Sequence, residues 1–424
     1  MTNSRNTLRR AESDIAPEEV DVVITLPLSE YFDTHPPPVR QSVSKHFFDL
    51  SLFTYILRYS NVFCKIPTEK DGTMSLSYVE FGKVDLSDVF FDSLKNDYPT
   101  FESWFLKKRN EKAYVSYDDY GKIDGFLYLK IENEELNDMT PSFPMKKRLK
   151  CGTFKIDARG TKMGERFVRK IFDFAMPHDI QEVYVTIFDK HQGLIRLLER
   201  YGFKLCSRKN LETENGCEGV YFKDFNWKPS AASFYDNYPM IKMNGRNFLL
   251  AIKPEFHSRL FPESILKNEN DSILEDVTYT NSIHKIYIGA MKGMELLQPG
   301  DNIIIYRTTD GQGAAKYRSV VTSVCTLQEY KNIREFLSYN EFKSYCGGAS
   351  IFSDEELHAY YSRCYPPHII KLTYNFPLQK RIIRDELLSI LGYTPSYSGF
   401  FTLSDVHFKA VLSAGKVNEN FIVD

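Results

Sequence analysis

Tryptophan is scarce in this chain, with two among 424 residues. An excess of either charge is also lacking, since 54 Lys and Arg stand against 56 Asp and Glu. That balance excludes a bulk attraction to nucleic acid or acidic membranes and leaves such partners only local patches. No apolar run is long enough to cross a bilayer, and the first twenty residues are polar and charged, unlike a secretory signal. The seven cysteines, at 64, 151, 206, 217, 325, 346 and 364, are odd in number and never in CxxC spacing. This argues against a disulfide framework and against a zinc site, so no metal is expected. Reduced thiols and the absence of a signal lead to the expectation of a cytoplasmic protein. What is abundant is Phe and Tyr, 32 and 27, within an otherwise ordinary globular composition. The length suits two or three domains.

The most informative stretch runs from Leu149 to Ala175. Leu149 to Ile156 reads as a strand. A polar turn follows, Asp157-Ala158-Arg159-Gly160-Thr161-Lys162-Met163-Gly164. Then Met163, Phe167, Val168, Ile171, Phe172 and Ala175 recur at helical spacing. The first N–H groups of such a helix lack carbonyl partners, and the helix dipole adds positive charge there. With Arg159 and Lys162 beside it and Gly160 and Gly164 allowing close approach, the turn suits a phosphate or pyrophosphate. An ordinary strand–turn–helix with a solvated basic loop fits the same residues.

Around it the chain reads as follows. Asp21 to Leu28 is a candidate strand and His46 to Tyr59 a packed helix. Val79 to Lys108 reads as mostly helical, with Pro99 starting a second helix. Lys112 to Tyr117 and Ile123 to Glu132 form a hairpin, and the basic run Lys146-Lys147-Arg148 reads as the end of a loop. Glu182 to Phe188 is a strand, His191 to Tyr201 a helix closed by Gly202, and Phe203 to Ser207 and Gly219 to Lys223 are two more strands.

From residue 75 to 228 this order resembles the GNAT-type N-acetyltransferase fold, an α+β arrangement on a mixed sheet. The family's pyrophosphate pattern Q/R-x-x-G-x-G/A falls on Arg159 to Gly164, and its helix–Gly–Phe block on His191 to Phe203. The resemblance implies acetyl-CoA as co-substrate, held by Phe154, Ile156, Arg159, Gly160, Thr161, Lys162, Met163, Gly164 and Glu165. It also implies a splay between two strands that admits the pantetheine arm. Three positions depart from the pattern. Lys162 stands at the first motif glycine, His191 stands where the family usually has an asparagine, and Leu198 stands where the family keeps a tyrosine that protonates the leaving thiolate. Acyl transfer to an amine also needs a base. Asp157, Glu182 and His191 are candidates, though Asp157 equally suits a helix cap and His191 a helix start. Tyr184, Tyr201 and Tyr221 are candidates to replace the acid and equally suit the core; the catalytic set carried forward is Asp157, His191 and Tyr201.

Residues 229–280 read as a linker with a strand (Phe248 to Lys253) and a short helix, and 1–74 as an extension without a recognisable motif. Residues 281–424 carry L-x-P-G-D-x-I-I-I-Y-R and then K-Y-R-S-V-V-T-S-V. This resembles PUA/ASCH-type domains and implies a small β-barrel with a polar substrate or RNA face. Arg307, Lys316, Tyr317 and Arg318 are the candidate contacts, or else a solvated strand face. The combined expectation is an N-acetyltransferase acting on a macromolecular amine, with RNA or an RNA-associated protein engaged through 281–424. The alternatives are an acyl-CoA-sensing binding protein and a toxin-like enzyme acetylating aminoacyl-tRNA.

Overall fold

The computed structural model describes residues 76–118, 120–157, 162–227, 235–243, 245–262, 282–311, 313–347 and 350–423. The strand expected at 21–28, the helix expected at 46–59, and Arg159, Gly160 and Thr161 lie outside the described residues.

Eight strands make the first sheet: β1 (Leu76–Glu80), β2 (Lys112–Tyr117), β3 (Ile123–Leu136), β4 (Met139–Thr140), β5 (Phe143–Ile156), β6 (Glu182–Ile187), β7 (Lys204–Lys209) and β8 (Gly219–Asp224). Their order is β1-β2-β3-β5-β6-β8-β7-β4. Every neighbouring pair is antiparallel except β5 and β6. Two short helices, α1 (Asp92–Asp97) and α2 (Phe101–Lys107), precede β2, so the region read as mostly helical is instead one strand and two short helices with 3-10 turns. Helix α3 (Met163–Ala175) makes the crossover that a parallel pair requires, and α4 (Gln192–Arg200) follows β6.

Strand β5 begins earlier than its apolar residues suggest and includes Lys146-Lys147-Arg148. Cross-strand charge explains this. Glu132 lies opposite Arg148 and Glu134 opposite Lys146. Lys146 Nζ and Arg148 Nε both donate to Glu182, at 2.5 and 2.7 Å. Opposite charges facing across a ladder each contribute roughly 0.2–1 kcal/mol.

The second sheet contains β10 (Asn247–Ile252), β11 (His284–Gly289), β12 (Asn302–Arg307), β13 (Val320–Asn332), β14 (His368–Ile383) and β15 (Phe400–Leu403), in the order β11-β14-β13-β12-β10-β15. A further pair, β9 (Ile241–Lys242) and β16 (Ile422–Val423), runs parallel. Among the described residues no sheet closes on itself, so the barrel expected for 281–424 is not formed. The expected linker strand is β10, which sits inside this sheet between β12 and β15.

Burial on both faces accounts for the open sheet. Phe248, Leu250, Ile252, Ile303 and Ile305 pack on one side with Leu260 of α5 (Pro254–Leu260) and, beyond the short α6 (Ala315–Arg318), with Phe342 of α7 (Tyr339–Cys346) and Leu357 of α8 (Asp354–Arg363). Leu249, Ile304, Val321 and Phe376 pack on the other with Leu387 of α9 (Arg384–Leu391), Phe408 of α10 (Asp405–Ala414) and Phe172 of α3. A sheet covered on both faces reads as continuous apolar runs and gains nothing by rolling up. Strands β10 and β12 are buried at every position.

The same core therefore runs from α3 into the second sheet. The predicted stripe of α3 is buried throughout, and so are Glu165, Arg166 and Arg169 on its other side. The Arg169 guanidinium lies 3.8 Å from the Tyr374 ring centre, and His284 Nε2 lies 3.6 Å from Glu165 Oε1. An amphipathic helix normally leaves such charges in water; here the second half covers them.

Candidate functional site

The parallel ladder between β5 and β6 is short. Its register runs Leu149↔Val183, Lys150↔Tyr184 and Cys151↔Val185, and then stops. Pairing of β5 with β3 continues to Ile156↔Gly125. From Gly152 onward β5 is held on one side only, and alternate backbone N–H and C=O groups face the open side. Gly152 suits its place for a packing reason, because a Cβ there would meet the Tyr128 ring at 2.6 Å.

A cleft of about 380 Å³ occupies this gap, lined by Gly152, Thr153, Phe154 and Lys155 of β5 and by Val185, Thr186 and Ile187 of β6. Phe154, Val185 and Leu194 belong to the core around α3. Phe101, Trp104 and Tyr128 belong to the core around α1 and α2. The opening thus joins the two faces of the sheet.

Its polar equipment comes from distant parts of the chain. His191, at the start of α4, directs Nε2 to within 3.3 Å of Asp97 Oδ2, while Asp97 Oδ1 accepts from Lys190 Nζ at 2.6 Å. His191 makes no side-chain cap bond. Burial pushes its pKa below the ordinary 6.5, with Lys190 acting in the same direction against the pull of Asp97. The imidazole is accordingly neutral at pH 7. Tyr98 donates to Glu218 at 2.6 Å, and burial and that carboxylate together push its phenol well up. Lys155 is buried, donates to the Phe90 carbonyl and Ser93, and has its pKa lowered by burial against nearby aspartates. Burial also pushes the Cys151 thiol well up, which favours its neutral form.

The residues singled out from the sequence divide. His191 and Phe154 line the cleft. Asp157 lies half-buried beyond the end of β5, its N–H donating to the Asp124 carbonyl at 2.9 Å, and it is not part of the lining; the N-cap of α3 is Lys162. Tyr201 is fully buried against Tyr235 and Tyr238 and sits outside the lining. Tyr184 donates to Glu132 at 2.5 Å, and Glu182 is engaged by Lys146 and Arg148. Leu198 is fully buried in the core.

Of the expected coenzyme contacts, Ile156 is buried and paired with Gly125, Met163 is buried, and Lys162 is exposed. Gly164 packs against α4, where an added Cβ would lie 2.6 Å from Leu197 Cδ2. Burial would raise the Glu165 pKa, but His284, Lys162 and Arg200 prevail and hold it at about 2. Asp97, Tyr98 and Glu218 escape a reading of the sequence because nothing local ties them to His191. The polar residue opening α4 was the one available signal. In the second half, Arg307 is buried and Arg318 is bonded to Asp310, leaving Lys316 and Tyr317 as the exposed members of the expected RNA-facing set.

No family model matches the chain, and no curated protein matches it. Several solved structures are similar over part of it. ASCH from Zymomonas mobilis is 13% identical, with 39% of this chain and 94% of that one covered and a TM-score of 0.26. A GNAT family acetyltransferase from Elizabethkingia anophelis with acetyl-CoA bound is 11% identical, covering 37% and 99%, with a TM-score of 0.27. A GNAT family acetyltransferase from Streptococcus agalactiae is 17% identical, covering 32% and 76%, with a TM-score of 0.25. The chain thus has a distant and partial likeness to both groups.

Proposed function

We propose that the protein is an N-acyltransferase that moves an acetyl group from acetyl-CoA to an amine. The observation that carries this reading is the early end of the β5–β6 ladder at Cys151 and Val185, with His191 and Asp97 in the cleft so opened. A thioester arm laid in that gap would meet free main-chain donors of β5, which suit the oxygen that gains negative charge during acyl transfer. Helix α3 follows β5 in the chain, and a helix N-terminus favours a diphosphate.

With the Nε2 proton turned toward Asp97, Nδ1 of His191 keeps a lone pair. That atom accepts the proton of the incoming ammonium, and the amine then attacks the thioester carbon. The imidazolium so formed returns a proton to the departing thiolate, a task the family gives to a tyrosine where this chain has Leu198. Calorimetric titration with CoA tests the binding step. Thiol release from acetyl-CoA over a panel of amines tests transfer. Failure to bind CoA at high micromolar concentration ends the proposal.

Leu198 favours a second reading. With no hydroxyl there, the fold suits a protein that senses acyl-CoA without turning it over. Tight CoA binding without thiol release on any amine would select that reading.

A further inference from the structure

The wall of the cleft built from α2 and β3 is aromatic, and a cation already sits on it. Lys108 Nζ lies 4.8 Å from the Tyr128 ring centre and 5.6 Å from that of Trp104. It also lies 3.0 Å from Tyr128 Oη and 2.9 Å from Glu111 Oε1. Tyr128 Oη in turn donates to Glu111. Two ring faces, a hydroxyl and a carboxylate converging on one ammonium is the equipment by which proteins recognise alkylammonium ligands. Lys108, Trp104 and Tyr128 all line the cleft that holds His191 and Asp97. The other lysines in the lining have partners away from that aromatic seat: Lys130 and Lys150 face Glu132, Lys155 faces Phe90 and Ser93, and Lys209 faces Asp138.

We infer that the acceptor is a primary alkylamine whose ammonium takes the seat on Trp104, Tyr128 and Glu111 that Lys108 occupies in the free protein. The inference rests on the acyltransferase reading and names its acceptor. Lys108 is a stand-in, a chain-borne alkylammonium with the charge and reach of the substrate, and it must swing out for the substrate to enter. The seated ammonium gives one proton to His191. Its nitrogen forms a C–N bond to the thioester carbon, and the C–S bond breaks. The thiolate takes the proton from the imidazolium, and the second nitrogen proton leaves to solvent, so one amide, one thiol and one proton result. Arylamines, uncharged at neutral pH, lack the charge this seat selects.

The test uses the full chain with acetyl-CoA and four acceptors: the alkylamines 1,5-diaminopentane and Nα-acetyl-lysinamide, and the arylamines 4-aminobenzoate and 4-aminobenzamide. Thiol release is followed alongside CoA calorimetry. The two alkylamines should be consumed and the other two spared. Lys108→Met keeps the packing stem but vacates the seat, and should lower KM for the alkylamines about three- to tenfold with kcat little changed. Trp104→Ala should raise that KM by a similar factor, and Trp104→Phe should recover part of it. Normal CoA binding with turnover confined to the two arylamines overturns the inference alone. So does a KM for alkylamines that ignores Lys108→Met. Absence of CoA binding takes the acyltransferase reading down with it.

Discussion

His191 is governed by two opposed influences. Asp97 draws a proton onto the ring, while burial and Lys190 keep it off, and the outcome is a pKa below the ordinary value. As the base of the proposed transfer, it should work from neutrality down to pH values where a free histidine would already be charged. The profile of kcat/KM should therefore stay level below pH 6.5 and fall only at lower pH, because the protonated ring cannot accept. A pH–rate series from pH 5 to 8 checks this. His191→Gln should lower kcat by about a hundredfold or more with CoA affinity retained, measured by thiol release and calorimetry. The sequence offered His191 through its place at the head of a helix. It offered no way to choose Asp97, because pairing two residues from separate elements depends on how the end of α1 meets the start of α4. Nor did it show that Tyr201 is core, since an aromatic at the end of a helix looks the same whether it faces a cleft or a neighbouring ring.

At the scale of elements, α3 explains both what was legible and what was not. Its apolar stripe was readable from spacing, because helical periodicity is local. The packing of Gly164 was not, because a glycine in a phosphate-type turn and a glycine packed against Leu197 of α4 look alike in one sequence. Gly164→Ala should accordingly destabilise the protein by about 1–3 kcal/mol, read as a shift in the urea midpoint. Glu165 offers a second test. Its folded pKa is held at about 2 against an ordinary 4.5, so its contribution is complete above pH 4.5 and is lost as pH falls toward 2. Glu165→Gln should cost on the order of 3 kcal/mol at pH 7, and the gap to the parent should close as the pH is lowered through that window. Denaturant titrations at pH 7 and pH 3.5 give the comparison. Strand β5 is the complementary case: Lys146, Lys147 and Arg148 look like loop until Glu134 opposite Lys146 and Glu132 opposite Arg148 are known.

Across the whole molecule, the two sheets share one core. Phe172 of α3, Tyr238 and Phe376 fall in the same buried cluster, and Phe225 packs against Phe421 near the end of the chain. The sequence divides naturally into a first half, a linker and a second half, yet the linker strand is built into the second sheet and the two halves bury each other's charges. The barrel expected for 281–424 came from the resemblance carried by L-x-P-G-D-x-I-I-I-Y-R, and the apolar strands could not correct it. Strand pattern reports burial, and it cannot say whether the covering layer is the sheet's own far wall or another part of the chain. A chain with this continuity should unfold in one cooperative transition, seen as coincident midpoints for far-ultraviolet dichroism and for fluorescence of Trp104 and Trp227 in the first half. Two separated transitions would show halves that stand alone.

The splayed pair of strands is the centre of the account, and a crystal structure of the CoA complex tests it most directly. The pantetheine arm should lie between Gly152–Phe154 and Val185–Ile187, with its sulfur toward His191. Density for CoA anywhere else, with that gap left empty, would contradict it.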